Sequence, residues 1–112
     1  MNISEQYKIL VDRITENLPL KAYPNRELVK IFRNDGHPIN LQTELSIIEI
    51  LNSGDISGIM CIVKLADGYK MACALTFLIF TKQEALYAEI VDYQRKREKR
   101  VTQLRMMGGK ML

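Results

Sequence analysis

Apolar side chains recur at helical spacing near the start of the chain. Within residues 4–18 they fall on one face of a helix, at Tyr7, Leu10, Val11, Ile14 and Leu18. Charged residues occupy the opposite face, and Ser4 is placed to cap the first turn. Pro19 follows directly and has no backbone N–H with which to continue the helix. The pattern therefore predicts an N-terminal helix over residues 4–18.

Two apolar runs separated by a short polar turn give the clearest β-strand signal of the chain. They span residues 59–65 and 69–77. The intervening loop is Ala-Asp-Gly at 66–68, in which Gly68 can adopt a positive φ. The pattern predicts an antiparallel hairpin.

The two-residue period of this hairpin determines which of its side chains share a face. A register that places Cys61 and Cys73 on one face leaves Lys64 and Lys70 together on the other. The lysine face carries the charges of the hairpin, so it is expected to face solvent near the loop. The two cysteines are expected to lie close together as buried, unbonded thiols.

Two earlier segments, 26–33 and 42–52, are compatible with either a helix or a strand. The polar positions of the second segment fit one stripe of a helix. Its β-branched residues fit a strand instead, namely Thr43, Ile47, Ile48 and Ile50. A run this short cannot be assigned from its period alone.

The preferred prediction is an α+β fold with an N-terminal helix, an antiparallel β meander and a long C-terminal helix. The strands of the meander are placed at 28–33, 44–52, 57–65 and 69–79. Strands of this length joined by short turns tend to close or to be covered, so the meander is expected to curl into a small SH3-like barrel. A chain of 112 residues fits a single domain, 1–112.

The alternative prediction makes 26–33 and 42–52 helices and leaves a single hairpin. The element order would then be that of a winged-helix domain, in which 42–52 enters the major groove of DNA. This segment offers Glu44 and Glu49 and no arginine or lysine. Because phosphates would repel the two glutamates, base recognition by this segment is not expected.

A capping box predicts where the C-terminal helix begins. Thr81 and Glu84 have the spacing at which each side chain can bond the backbone N–H of the other, and Phe80 precedes them as a hydrophobic staple. No glycine or proline interrupts the pattern up to Met107, and Gly108 then ends it. The sequence thus predicts one long helix between Thr81 and Met107.

The apolar stripe of this helix weakens halfway along. Leu86, Ile90 and Tyr93 form one seam, and the next position of the stripe is Arg97. The first half of the helix is therefore expected to pack on the body. Residues 94–112 are expected to form a basic helix end that projects or meets a partner.

Charge is distributed unevenly along the chain. Of its 16 basic and 13 acidic residues, seven basic and one acidic residue lie within 93–112, which leaves 9 basic and 12 acidic residues in 1–92. The body therefore carries a net charge of −3 and the C-terminal segment carries +6. A concentrated positive charge calls for an anionic partner or extensive hydration.

Enzyme signatures are absent from the sequence. The one histidine, His37, lies in a turn, and two cysteines with one histidine do not complete a tetrahedral zinc set. No glycine-rich phosphate loop is present. We predict a protein without catalytic residues, metal site or cofactor. The turn at 52–58, with two glycines and two serines, is interpreted first as a tight turn with a bulge before a buried strand, and a binding rim is the alternative.

These observations support two function hypotheses. In the first, a small non-enzymatic module contacts nucleic acid or a nucleoprotein through its basic helix, with the binding residues Arg95, Lys96, Arg97, Lys99, Arg100 and Arg105. In the second, the same helix docks on an acidic protein surface or on its own copy, which would make a homo-oligomer.

Location in the cell is predicted from what the sequence lacks. The first residues show no basic and apolar regions of a signal peptide. The longest apolar run, 71–80, is shorter than the roughly 20 residues that cross a bilayer. We expect a cytoplasmic protein that has no membrane partner and keeps its two thiols reduced.

Overall fold

The structure is a computed structural model that describes residues 3–52 and 58–110, with the side chains of 3–6, 52, 100, 101 and 103–110 left out of the description. It contains three α-helices, namely α1 (Ile3–Glu16), α2 (Arg26–Asn34) and α3 (Tyr87–Lys110). The described strands are β1 (Leu20–Pro24), β2 (Leu45–Asn52), β3 (Ile59–Lys64), β4 (Lys70–Ala74) and β5 (Leu78–Ile79). A 3₁₀ turn, Leu75–Phe77, joins β4 to β5.

The five strands form one antiparallel sheet in the order β4-β3-β2-β1-β5. The first four strands make a meander, and β5 then returns to pair with the free side of β1. A register shift between Ile47 and Glu49 interrupts the pairing of β2 with β3, and such bulges increase local twist. The sheet curls into a half-barrel, which confirms the predicted α+β fold with helices at both ends.

The concave side of the half-barrel holds the core. Each strand contributes its inward-facing residues, among them Leu45, Ile47, Ile59, Cys61 and Val63, all at most 1% exposed. The helices close the core with one apolar face each, through Ile14, Leu28, Phe32, Leu86 and Ile90. Burial of these side chains is the main contribution to stability, at about 25 cal/mol for each Å² of apolar surface removed from water.

The predicted hairpin is confirmed with its register. Cys61 lies opposite Cys73, and Lys64 lies opposite Lys70. Both cysteines are buried and unbonded. Gly68 takes a φ of +96° in the loop, a conformation that costs glycine little because it has no Cβ.

The segment 26–33 is a helix, so the strand predicted at 28–33 is wrong. Asn25 caps α2 by accepting a 2.9 Å hydrogen bond from the backbone N–H of Leu28. Leu28, Val29 and Phe32 then fall on one buried face at helical spacing. Burial of these three residues on one face of a capped helix outweighs the strand propensity of so short a run.

The opposite assignment holds for the other ambiguous segment, where β2 is a strand. Because 45–52 pairs with strands on both sides, the winged-helix alternative, which needs a helix there, is wrong. The sheet also contains β1, at 20–24, where the sequence indicated only a connection. Its burial alternates cleanly, with Leu20, Ala22 and Pro24 inward.

The C-terminal helix begins six residues later than the capping box predicted. The backbone N–H of Glu84 donates to the carbonyl of Thr81 at 3.1 Å, and that of Tyr87 donates to the carbonyl of Glu84 at 3.0 Å. Two successive turns therefore occupy 81–86, and α3 starts at Tyr87. At its other end α3 continues past the predicted stop at Gly108 to Lys110.

Candidate functional site

Two side chains of α3 attach this helix to the half-barrel. The Tyr93 hydroxyl oxygen accepts a 2.9 Å hydrogen bond from the buried backbone N–H of Ile59, at the start of β3. The Gln94 amide donates to the carbonyl oxygens of Leu75 and Leu78, at 3.0 and 2.7 Å. These bonds supply partners to backbone groups at the starts of β3 and β5 and in the 3₁₀ turn. They also fix the rotation of α3 about its own axis.

Arg97 belongs to this attachment. Only 6% of its surface is exposed. Its Nε and guanidinium carbon lie within 3.0 and 3.4 Å of the position that a Cβ on Gly58 would occupy, and the Tyr93 hydroxyl lies within 2.5 Å of that position. Gly58 has a φ of +69°, so both conformation and space require glycine there. Arg97 therefore packs against the start of β3 and is not part of an exposed basic surface.

The other basic residues predicted on this helix are exposed where their side chains are described. Arg95, Lys96 and Lys99 all face solvent. Lys96 forms an ion pair with Asp92 at 3.0 Å, one helical turn earlier. The side chains of Arg100 and Arg105 lie outside the described ones, although their backbone belongs to α3.

Arg95 and Lys99 flank a shallow depression on the surface of α3, about 480 Å³ in volume, that also involves Glu98 and Thr102. Arg95, Lys99 and Thr102 are spaced by four and three residues, so they lie along one side of the helix. The depression is open to solvent and carries two positive charges and one negative charge. It suits contact with an extended anion better than enclosure of a small ligand.

A second cationic surface lies on α2 and was not predicted from the sequence. Arg26, Lys30 and Arg33 line a groove of about 340 Å³ whose remaining lining is Val29, Asn40, Leu41 and Gln42. None of its described lining residues is acidic. The three cations are spaced by four and three residues, which places them on one helix face. Interpreting 28–33 as a strand concealed this stripe, because a strand would have put Arg33 on the face opposite to Arg26 and Lys30.

The groove between α1 and α3 has a different character. It has a volume of about 280 Å³ and is lined by Tyr7, Ile9, Leu10, Glu89, Asp92, Tyr93 and Lys96. Glu89 pairs with Arg13 of α1 at 2.7 Å, and Asp92 pairs with Lys96. The ring of Tyr7 meets that of Tyr93 edge-on at 5.0 Å. This groove is the seam along which the two helices pack, and its charges are paired.

The residues with the most reactive side chains serve packing. Burial raises the pKa of the Cys73 thiol to about 12 and raises the pKa of Cys61 as well, so both are protonated at neutral pH and poor nucleophiles. His37 stacks on Tyr69 with ring centroids 3.6 Å apart. The Tyr69 hydroxyl donates to Asp35 at 3.0 Å, a bond that raises the pKa of Tyr69. These contacts join the end of α2 to the β3–β4 loop.

Across 3–52 and 58–110, no three His, Cys, Asp or Glu residues come together as a group that could hold a metal ion. None of the described helices is both long enough and apolar enough to cross a membrane. The candidate binding rim at 52–58 falls largely outside the described residues.

Comparison with known proteins identified no relative of this chain. The chain matches no protein-family model, no curated protein and no solved structure.

Proposed function

We propose that this protein is a small non-enzymatic module that binds the phosphate backbone of nucleic acid through the basic end of α3. The observation that carries the proposal is the concentration of seven basic residues and one acidic residue within 93–112, on a body with a net charge of −3. Lysine and arginine that neutralise phosphates supply affinity independent of base sequence, and this contact requires no specific pocket.

The way α3 is attached supports this proposal. Tyr93, Gln94 and Arg97 hold the helix on one side, which leaves Arg95 and Lys99 on surface exposed to solvent. Basic side chains held on a rigid helix lose less entropy on binding than the same residues in a flexible tail. The attachment thus presents the cations of α3 in a defined orientation.

The expected binding is independent of sequence. Tyr93 is buried and Tyr87 lies half-buried about two turns before Arg95, so the described side chains around Arg95 and Lys99 provide cations without an aromatic platform for base stacking. Contacts to phosphates position a protein without reading bases. Affinity should therefore depend strongly on salt and weakly on base composition.

The test compares wild type with a variant in which four cations of α3 become glutamine, namely Arg95, Lys96, Lys99 and Arg100. Arg97 is kept because it is buried. A matched control removes the same charge from the body by changing Lys8, Lys64, Lys70 and Lys82 to glutamine, all of them exposed. Binding of a labelled single-stranded oligonucleotide is measured by fluorescence anisotropy from low to physiological salt.

The α3 variant should bind weakly, and its salt slope should fall by about 0.7 for each charge that touched a phosphate of a single strand. The control should retain most of the affinity. If wild type does not bind at low salt, or if the α3 variant and the control behave alike, the proposal is wrong. The same variants on a sizing column then test the hypothesis that the basic helix joins two copies of the chain.

A further inference from the structure

The described lining of the groove on α2 includes three cations and no acidic residue. Arg26, Lys30 and Arg33 are exposed, and, in the part of the chain that the structure describes, none of them forms an ion pair. Glu27 lies next to Arg26 in sequence but does not line the groove. Since residues 1–92 are net negative, this cluster is a local reversal of the charge of the body.

Helix stability does not account for this placement. Arg26 lies in the first turn of α2, where the positive end of the helix dipole disfavours a cation. Arg33, in the last turn, is favoured there, but Lys30 in the middle gains nothing from the dipole. A cation placed against the dipole, in a groove lined by no described acidic residue, is available to an anion outside the chain.

The spacing of the cations indicates a linear polyanion. Seven residues separate Arg26 from Arg33, which at 1.5 Å per residue is about 10.5 Å along the helix axis. Within a duplex, one strand places a phosphate about every 3.4 Å along the axis, and an extended single strand spaces its phosphates more widely, so two or at most about three phosphates pass over this distance. A single phosphate could touch at most part of the cluster.

The opposite wall of the groove favours a single strand over a duplex. It consists of the loop residues Asn40, Leu41 and Gln42, and Leu41 is 41% exposed. The Asn40 side-chain oxygen accepts a hydrogen bond from the backbone N–H of Gln42 at 2.8 Å, which gives this wall a defined turn. An exposed apolar side chain and carboxamides can contact sugars and base edges, and these are accessible when the strand is unpaired.

We propose that the α2 groove binds the backbone of single-stranded nucleic acid as a second contact surface, separate from α3. The phosphates lie along Arg26, Lys30 and Arg33, and the sugars face the 40–42 loop. The proposal rests on the proposed function for its ligand class. Its residues and their geometry are independent of α3.

The experiment uses a fluorescein-labelled single-stranded oligonucleotide of about 12 nucleotides, within the usual site size of single-strand binding domains. The groove variant changes Arg26, Lys30 and Arg33 to glutamine. The charge-matched control changes Lys64, Lys70 and Lys82 to glutamine. Thermal unfolding verifies that both remain folded, and the single change Arg26→Gln serves as a second variant, because it relieves the helix dipole and should not reduce stability.

The groove variant should bind about ten-fold more weakly than the control at low salt, and its salt slope should be smaller by about 2, at 0.7 for each of three contacts. Arg26→Gln should show a smaller loss in the same direction. If the groove variant matches the control in affinity and slope, the inference is wrong. If polyglutamate binds wild type more tightly than the oligonucleotide does and the groove variant loses that binding, the occupant is an acidic peptide and the inference is again wrong.

The α3 variant separates this inference from the proposed function. Loss of binding in the α3 variant, with none in the groove variant, keeps the proposed function and overturns the inference. Loss of binding in the groove variant, with none in the α3 variant, supports the inference and overturns the proposed function of α3. Additive losses in both variants support two surfaces on one strand, and absence of binding by wild type overturns both.

Discussion

The hydroxyl of Tyr93 lies 2.9 Å from the backbone nitrogen of Ile59 and accepts its hydrogen bond. Thirty-four positions separate the two residues, so this contact joins the C-terminal helix to the start of the strand that leads into the hairpin. Ile59 is only 1% exposed, so this hydrogen bond is shielded from water. The bond therefore links the orientation of the basic helix to the integrity of the half-barrel.

Replacing Tyr93 with phenylalanine should lower the free energy of unfolding by about 1–3 kcal/mol, because the change removes the hydroxyl that accepts the buried N–H of Ile59. Urea denaturation followed by circular dichroism measures the loss. The control is Tyr87→Phe, since the Tyr87 hydroxyl forms no hydrogen bond with a described residue. Equal stability of the two variants would contradict the role assigned to this bond.

Gly58→Ala should destabilise the protein more than Gly68→Ala. Both glycines have a positive φ, which costs a residue with a Cβ about 1–2 kcal/mol. At Gly58 the new Cβ would also lie 2.5 Å from the Tyr93 hydroxyl and 3.0 Å from the Arg97 Nε, whereas at Gly68 nothing lies within 4 Å. The melting temperatures of the two variants are compared, with Gly68→Ala as the reference for a positive φ without crowding. A Gly58→Ala variant as stable as Gly68→Ala would show that the start of β3 has room to adjust.

Arg97 should behave differently from the basic residues around it. Arg97→Gln removes a buried side chain that packs beside Gly58 and Tyr93, and we expect a loss of about 1–3 kcal/mol in unfolding free energy. Arg95→Gln and Lys99→Gln alter exposed positions and should change stability by less than about 0.5 kcal/mol. Chemical denaturation of the three single variants measures their unfolding free energies. An Arg97→Gln variant as stable as wild type would show that Arg97 does not contribute to the attachment of α3.

Stability should fall as pH rises above about 8.5, where the cysteines of an unfolded chain begin to ionise. The folded protein keeps both protons, because burial raises the pKa of Cys73 to about 12 and raises that of Cys61. The unfolded chain then binds fewer protons than the folded one, so the contribution that is complete below pH 8.5 is lost as pH rises toward the folded pKa values. For two thiols the slope approaches about 2.7 kcal/mol per pH unit.

Urea unfolding at pH 8, 9 and 10 under reducing conditions measures this slope. The range stops at pH 10 because burial also raises the pKa of Tyr93 above that of an ordinary tyrosine, which adds a further dependence at higher pH. The double variant Cys61→Ala, Cys73→Ala is the control and should lose most of the slope between pH 8 and 10. A wild type whose stability is flat over this range would mean that its thiols ionise when folded.

Features that depend on neighbours in sequence were predictable. The β3–β4 hairpin follows from a two-residue alternation and a glycine at the loop position that needs positive φ, so Cys61 faces Cys73 as expected. The helical period of residues 4–18 and the positive charge of 93–112 could likewise be identified from the sequence. In each case the information lies within a few residues of the element it describes.

Tertiary contacts decided the rest. The segment 26–34 became a helix and 45–52 a strand because of what each could bury and pair with, and this choice alone brought Arg26, Lys30 and Arg33 onto one face. Likewise, α3 starts at Tyr87 and not at the local capping box. Arg97 sits on the stripe of Leu86, Ile90 and Tyr93, but only the approach of Gly58 from β3 shows that it is buried. Local propensities differ by less than about 1 kcal/mol per residue, so the burial of whole faces outweighs them, and burial is a property of the assembled fold.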